Sequence, residues 1–188
     1  TVLNNLTTTQ IAALSTAQVQ GLTTTQLNGI STTNLDSIAV AKLTTTQVAG
    51  LTTTAFGALT ATQVSALTAS EIAALSSSQI GQLTTTELHN LSTTQANALT
   101  ATQVGSLTTT VLNNLTTTQI AALSTTQVQG LTTTQLNGIS TTNLDSLGAA
   151  KLSTTQVSGL TTTTIGNLTA TQVHAFTSPL PSMPWSTN

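Results

Sequence analysis

The sequence predicts an all-α fold, a solenoid of very short and individually capped helices. Three observations predict it. A unit of eight residues recurs from Leu6 to Phe176, and a fixed short period decides the architecture before anything else. Each unit opens with the side-chain chemistry of a helix start. Its leucine stripe would turn by about 80° per unit on one continuous helix, so such a helix could not bury it on one side. The first copy is Leu6-Thr7-Thr8-Thr9-Gln10-Ile11-Ala12-Ala13. Leu14-Ser15-Thr16-Ala17-Gln18-Val19-Gln20-Gly21 and Leu22-Thr23-Thr24-Thr25-Gln26-Leu27-Asn28-Gly29 follow it.

Number the unit 0 to 7, with Leu at 0. Position 1 is Thr or Ser in all 20 complete units, and position 4 is Gln or Glu in 15 of them. Thr7 therefore reads as an N-cap whose hydroxyl accepts from the N–H three residues on. Gln10 reaches back to the N-cap N–H, which completes a capping box. Ser15 with Gln18 and Thr23 with Gln26 repeat the pair. Leu6 and Ile11 have the spacing of a hydrophobic staple. Gly21, Gly29 and Gly50 suit a left-handed residue after the helix.

A helix of about six residues is far below the 12–15 that stand alone in water, so each unit must stack on others. We expect the chain to bend at every cap. Successive helices would alternate direction and give a 16-residue coil of two helices. The alternative is a β-solenoid. Thr at positions 1 and 3, as in Thr60-Ala61-Thr62, would form an outward ladder on a strand. The Ala, Gln, Asn and Leu at the other positions argue against it.

The octads run to Ser37, and one unit then shortens: Ile38 is followed by Leu43 after Ala39-Val40-Ala41-Lys42. The simplest account is a deleted cap and two fused helices, with Ser31 capping a helix to about Lys42. Asp36 and Lys42 would each sit at the favourable end of its dipole. The irregularity returns at Leu147-Gly148-Ala149-Ala150-Lys151-Leu152. Residues 110–176 repeat residues 1–67 with an offset of 109, and 11 of the 67 positions differ. The tract is thus a super-repeat of 109 residues, the product of recent duplication, with irregular units at 38–43 and 147–152. After residue 176 a proline-rich tail, 177–188, carries all three prolines and the single Trp. Prolines so close together cannot continue a helix. Leu180, Met183 and Trp185 are its candidates for contact with another subunit.

Composition narrows the function. Only 3% of residues are charged and the formal net charge is −2, so the chain lacks the cationic footprint that nucleic acid needs. No apolar run approaches the 18 residues of a membrane span, and no charged and apolar leader opens the sequence. Thr1 to Asn5 already lie inside a repeat, so we expect the chain to be part of something longer or a processed product.

Candidates for chemistry are sparse. Asp36 and Asp145, and Lys42 and Lys151, are duplicates, and Glu71 and Glu87 take the place of the capping Gln. His89 and His174 lie far apart in the sequence, with no repeated acidic partner. No phosphate loop or metal-ligand spacing is present, and there is no Cys. We read no enzyme, no cofactor and no metal. Asn5-Leu6-Thr7, Asn90-Leu91-Ser92, Asn114-Leu115-Thr116 and Asn167-Leu168-Thr169 match the glycosylation sequon, but they follow from the repeat wherever Asn falls at position 7. O-linked glycan on the Thr-rich face is compatible with this composition.

The Leu-Thr-Thr-Thr-Gln-Ile-Ala-Ala-Leu-Ser-Thr-Thr-Gln-Val octad resembles the Thr/Gln/Ala-rich octapeptide-repeat tracts of large bacterial secreted or cell-surface proteins, over residues 1–176. The resemblance implies an extracellular or cell-surface location and a stalk-like or filament-forming role, with self-association as the expected partnership. The alternative function is a surface-binding module, an adhesin or ice-binding face using the regular Thr array.

Overall fold

The structure is a computed structural model and describes residues 2–177. Among them are twenty α-helices, from Thr8–Ala12 to Ala170–Thr177, with three 3-10 turns at Val2–Asn5, Val40–Lys42 and Ala149–Lys151. No strand occurs among the described residues, so the β-solenoid alternative is not supported and the chain is a helical solenoid. The tail residues Leu180, Met183 and Trp185 lie outside the described residues.

Each octad makes one helix of about five residues, and each helix turns two side chains inward. The position-5 residue is fully enclosed, as at Val19, Leu27, Ile72 and Ile120. The leucine at position 0 closes the same core from the loop, as at Leu51, Leu99 and Leu131. Burying one such aliphatic side chain contributes ~1.5–3 kcal/mol. That modest gain per unit explains why a single octad cannot fold and why all units share one continuous core.

The helix ladder is carried by the loops as much as by the helices. Leu22 N–H donates to Val19 O at 3.1 Å and Leu99 N–H to Ala96 O at 3.2 Å, so the leucine that enters the core also satisfies a helix C-terminal carbonyl.

Three expectations are corrected. The stacking unit is not a 16-residue pair of helices. Helix Ala101–Ser106 packs on Thr125–Gly130, and Ala69–Ala74 packs on Thr93–Ala98, in each case the third helix along. One turn therefore holds between three and four units. The reason is a side chain, the position-4 glutamine, whose reach to the turn beneath fixes the interval.

The helices at 31–42 do not fuse either. Thr32–Asp36 ends at Ser37, Ala39 is extended at φ −65° and ψ 121°, and a separate 3-10 turn follows at Val40–Lys42. Gly148 repeats this at φ −66° and ψ 108°. Fusion would have kept Ile38 on the face of Leu35 but carried Val40 about 140° away from it, and Val40 is 2% exposed.

Nor are the glycines left-handed: Gly21, Gly29 and Gly50 have φ of −74°, −99° and −84°, and no positive φ occurs among the described residues. At Gly50, and at Gly105 elsewhere in the tract, the glycine instead permits close approach. A Cβ on Gly50 would stand 2.5 Å from Thr24 Cγ2, and one on Gly105 would stand 2.5 Å from Gly130 O.

Candidate functional site

The candidate site is the interface that joins one turn to the next, because the side chains the sequence singles out converge there. Position 1 starts each helix. Thr7 Oγ1 accepts from Gln10 N–H at 3.2 Å, and Thr7 N–H donates to Gln10 Oε1 at 2.9 Å. Ser15 with Gln18 and Thr23 with Gln26 have the same reciprocal pair, with N–H to Oε1 distances of 2.8 Å in both. A box of this kind satisfies two orphan groups of a helix start.

The glutamine has a second task. Its Oε1 serves its own helix, and its Nε2 donates to the helix C-terminal carbonyls of an earlier turn. Gln103 donates to Ile72 O at 2.9 Å and Leu75 O at 2.6 Å. Gln127 donates to Ala96 O at 3.0 Å and Leu99 O at 2.7 Å. The acceptors are position 5 of a unit and position 0 of the next, always counted from the helix four units back. Across the shortened unit the same step holds. Gln47 donates to Val19 O at 2.9 Å and Leu22 O at 2.8 Å, now 28 and 25 residues away instead of 31 and 28. Position 6 makes the complementary link, three units forward. Asn28 Nδ2 donates to Gly50 O at 2.9 Å, and its Oδ1 accepts from Thr52 N–H at 2.7 Å. A step of four back and three forward sets a turn of about 28 residues, three and a half octads.

The shortened units lack a glutamine, and lysine replaces it. Lys42 Nζ donates to Leu14 O at 2.6 Å and Ala12 O at 3.0 Å. Lys151 Nζ donates to Leu123 O at 2.6 Å and Ala121 O at 3.0 Å. Both again reach four units back, and each ammonium sits at the negative end of a helix dipole. That helix belongs to another turn, not to the lysine's own segment.

His89 fills an Asn-like place. Its Nδ1 lies 2.9 Å from Asn114 O, so Nδ1 carries the donated proton. Glu71 and Glu87 keep the box, with Thr68 N–H and Thr84 N–H donating at 2.7 and 2.8 Å. A carboxylate has no N–H to pass to the turn beneath.

Asp36 and Asp145 are exposed on the outer surface, and no cluster of metal-ligating side chains occurs among the described residues. Most position-3 threonines, such as Thr9, Thr25, Thr46 and Thr118, are exposed as well.

Sequence reasoning read the capping half of the glutamine and missed the inter-turn half. The signal was present: 13 of the 15 box residues are Gln and only 2 are Glu. A capping box accepts either residue, so the preference for the amide marks a need for a donor.

The ladder stops at the first turn. Gln10, Gln18 and Gln26 are exposed, and among the described residues their amide groups donate to no other turn. Leu6, Leu14, Leu22 and Ile30 are only partly buried.

The chain is a threonine-rich repeat tract. The family model described as the ALTTAQ repeat matches it at residues 3–33, 72–109 and 105–133. No curated protein matches the chain. No helix among the described residues is long and apolar enough to cross a membrane.

Proposed function

We propose, from a threonine-rich repeat tract whose turns are joined by one recurring side chain, that this protein is structural: a stalk segment or a filament subunit at the outside of a bacterial cell. The observation that carries this reading is the glutamine ladder. It joins turn to turn along the axis with the same four-unit step from Gln47 to Gln172, so the architecture extends by repetition and holds one cross-section throughout. Scarce charge supports the reading, because weak repulsion favours association of such units. The reading assigns no catalytic role.

At about 28 residues per turn and 8–10 Å between stacked helices, residues 2–177 would form a rod roughly 55–60 Å long. Small-angle scattering and electron microscopy of the purified chain test this. Elongated particles or filaments are expected, and a compact spherical particle would sink the reading. A charge placed in the core, as in Ile11→Glu with Val19→Glu, should abolish any filaments. Unchanged assembly with the fold retained would count against the filament form.

The exposed position-3 threonines favour a second reading, a binding face for ice or a host surface. Thermal hysteresis that disappears on enlarging Thr9 and Thr25 would support the ice form, and none at all in the parent protein would reject it.

A further inference from the structure

Asn4, Asn28, Asn113 and Asn137 make the position-6 links between turns. Each Nδ2 donates to a glycine carbonyl three units forward, on Gly29, Gly50, Gly138 and Gly159, at 3.1, 2.9, 3.1 and 2.9 Å. Each Oδ1 accepts from the N–H two residues beyond that glycine, on Ser31, Thr52, Ser140 and Thr161. A carbonyl only accepts and an N–H only donates, so both ends of each amide are committed. Asn28-Gly29 and Asn137-Gly138 are the two Asn-Gly pairs of the sequence, whereas Asn4 and Asn113 precede a second Asn. An Asn-Gly pair is the one most open to attack on its own side chain. The glycine nitrogen has no neighbouring side chain to shield it, and its backbone turns freely. At 138 the packing itself calls for glycine, because a Cβ there would stand 2.8 Å from Thr109 Cγ2.

The closed joint holds both halves of each pair. Asn28 ends the helix Thr24–Asn28, and Gly29 N–H donates to Gln26 O at 3.1 Å. The Asn28 amide is committed to Gly50 and Thr52 in the next turn, and the Gly29 carbonyl is held by Asn4 from the turn before. Asn137-Gly138 is held more firmly. Gly138 lies inside the helix Thr133–Gly138, its carbonyl is held by Asn113, and Thr164 Oγ1 adds a third bond to Asn137 Oδ1 at 2.8 Å. A carboxamide bound to another turn is not presented to the nitrogen that follows it.

We propose that Asn28 and Asn137 are gated sites of spontaneous deamidation: protected while the turns are joined, and converted irreversibly when a joint opens. In the opened joint the glycine nitrogen attacks Asn Cγ. The new N–Cγ bond forms, the Cγ–Nδ2 bond breaks, and ammonia leaves with the proton of the glycine N–H. Water then opens the five-membered ring. Attack at Cγ gives aspartate, and attack at the backbone carbonyl carbon gives isoaspartate, with the chain now running through Cγ. Neither product can re-form the joint. Aspartate keeps an acceptor for Thr52 or Thr161 N–H but has no donor for Gly50 or Gly159 O, and isoaspartate adds a carbon to the backbone. An opened turn is thereby marked and stays weakened.

The test is peptide mapping by mass spectrometry after the full chain is kept warm at mildly alkaline pH, folded or in concentrated urea. Asn113 is the internal standard, with the same two bonds and a different successor. In urea, Asn28 and Asn137 should convert about tenfold faster than Asn113, and folding should slow both by about tenfold or more, the factor being set by the opening equilibrium. Two variants then open one joint at a time. Gln47→Glu removes the donor to Val19 O and Leu22 O beside the Asn28 joint, and Gln156→Glu removes that to Val128 O and Leu131 O beside Asn137. Glu71 and Glu87 show that glutamate keeps the capping box. The first variant should speed conversion at Asn28 alone and the second at Asn137 alone, with circular dichroism as the check on folding.

The product is tested directly by Asn28→Asp with Asn137→Asp, which should lower the urea midpoint by roughly 0.5–1 M. Asn97→Asp is the control, at an exposed position-6 asparagine, and should leave the midpoint unchanged. Equal conversion of Asn28 in the folded and unfolded chain would overturn the gating. Conversion in urea no faster than at Asn113 would overturn the sites themselves. An unchanged midpoint in the double aspartate variant would overturn the weakening of the joint. Should a glutamate variant fail to fold, the comparison of the parent chain with and without urea still decides the gating.

Discussion

The substitution Gln119→Glu should cost far more than Gln10→Glu, although the two glutamines lie in identical sequences. Residues 110–125 repeat 1–16 without a difference, so local propensity and capping cancel between the two sites. What differs is the turn beneath. Gln119 Nε2 donates to Leu91 O at 2.7 Å and to Leu88 O and His89 O at 3.2 Å, and its Oε1 accepts from Thr116 N–H at 2.8 Å. Glutamate keeps the last of these and loses the rest. It also sets a carboxylate oxygen against carbonyl oxygens in a site that is 3% exposed. At ~1 kcal/mol net per hydrogen bond, with the added penalty of buried groups left without partners, the loss is about 2–4 kcal/mol. For exposed Gln10 the expected change is within about 0.5 kcal/mol. Urea unfolding followed by circular dichroism, at a concentration where the chain is dispersed, reads the difference as a midpoint shift of roughly 1–2 M at position 119. Low pH gives a second check. Burial of the second carboxylate oxygen against the carbonyls of the turn beneath raises the folded-state pKa of the introduced carboxyl above the usual glutamate value of about 4.3. Its penalty is then full above the folded pKa and relieved as pH falls below the unfolded one. Equal midpoint shifts at the two positions would refute the ladder as the device joining the turns.

Lys151→Met should lower stability by about 1.5–3 kcal/mol, because it removes the charged donor to Ala121 O and Leu123 O and leaves those carbonyls unserved. Thermal unfolding reads this as a fall of several degrees, and no fall would show that the ammonium is dispensable. Gly130→Ala should cost about 1–3 kcal/mol, since a Cβ there would meet the backbone of Ala101, with its Cα at 2.8 Å, and backbone cannot swing aside. Gly166→Ala, where nothing lies within 4 Å of the added carbon, is the matched control and should be neutral or stabilising. Thr116→Ala should cost about 1 kcal/mol through the lost cap on Gln119 N–H at 3.1 Å, and Thr116→Ser should restore it, read by hydrogen exchange of that amide.

The local rules were legible and the turn was not. Thr7 and Gln10 specify a helix start within four residues, so an eight-residue window contains all the information the cap needs. The helical period likewise follows from Leu and Ile spacing inside one unit. The size of the turn depends on a contact such as Gln79 with Leu51, 28 residues apart, and no local pattern encodes that separation. The amide preference at position 4 hints at the donor without naming its acceptor. Lys42 illustrates the same gap. Its charge invites pairing with the dipole of its own segment, and only the fold shows that the ammonium serves Leu14 in a different turn. Gly50 was misread for a related reason, because a glycine that makes room for Thr24 cannot be told by sequence from one that frees φ.

The ladder counts units, not residues, and this bears on how such a gene can change length. The step from Gln63 to Ile38 spans 25 residues and that from Gln135 to Leu107 spans 28, yet both join equivalent places. With three and a half octads to a turn, no octad marks the start or the end of one. Gain or loss of a single octad by slippage during DNA replication therefore shifts every later helix by one place, and each glutamine still finds a C-terminus four helices back. A protein organised by whole turns would tolerate length variation only in steps of a turn. Here the heritable step is one unit, eight codons for a full octad, which makes the reach of the molecule adjustable in increments of about 3 Å.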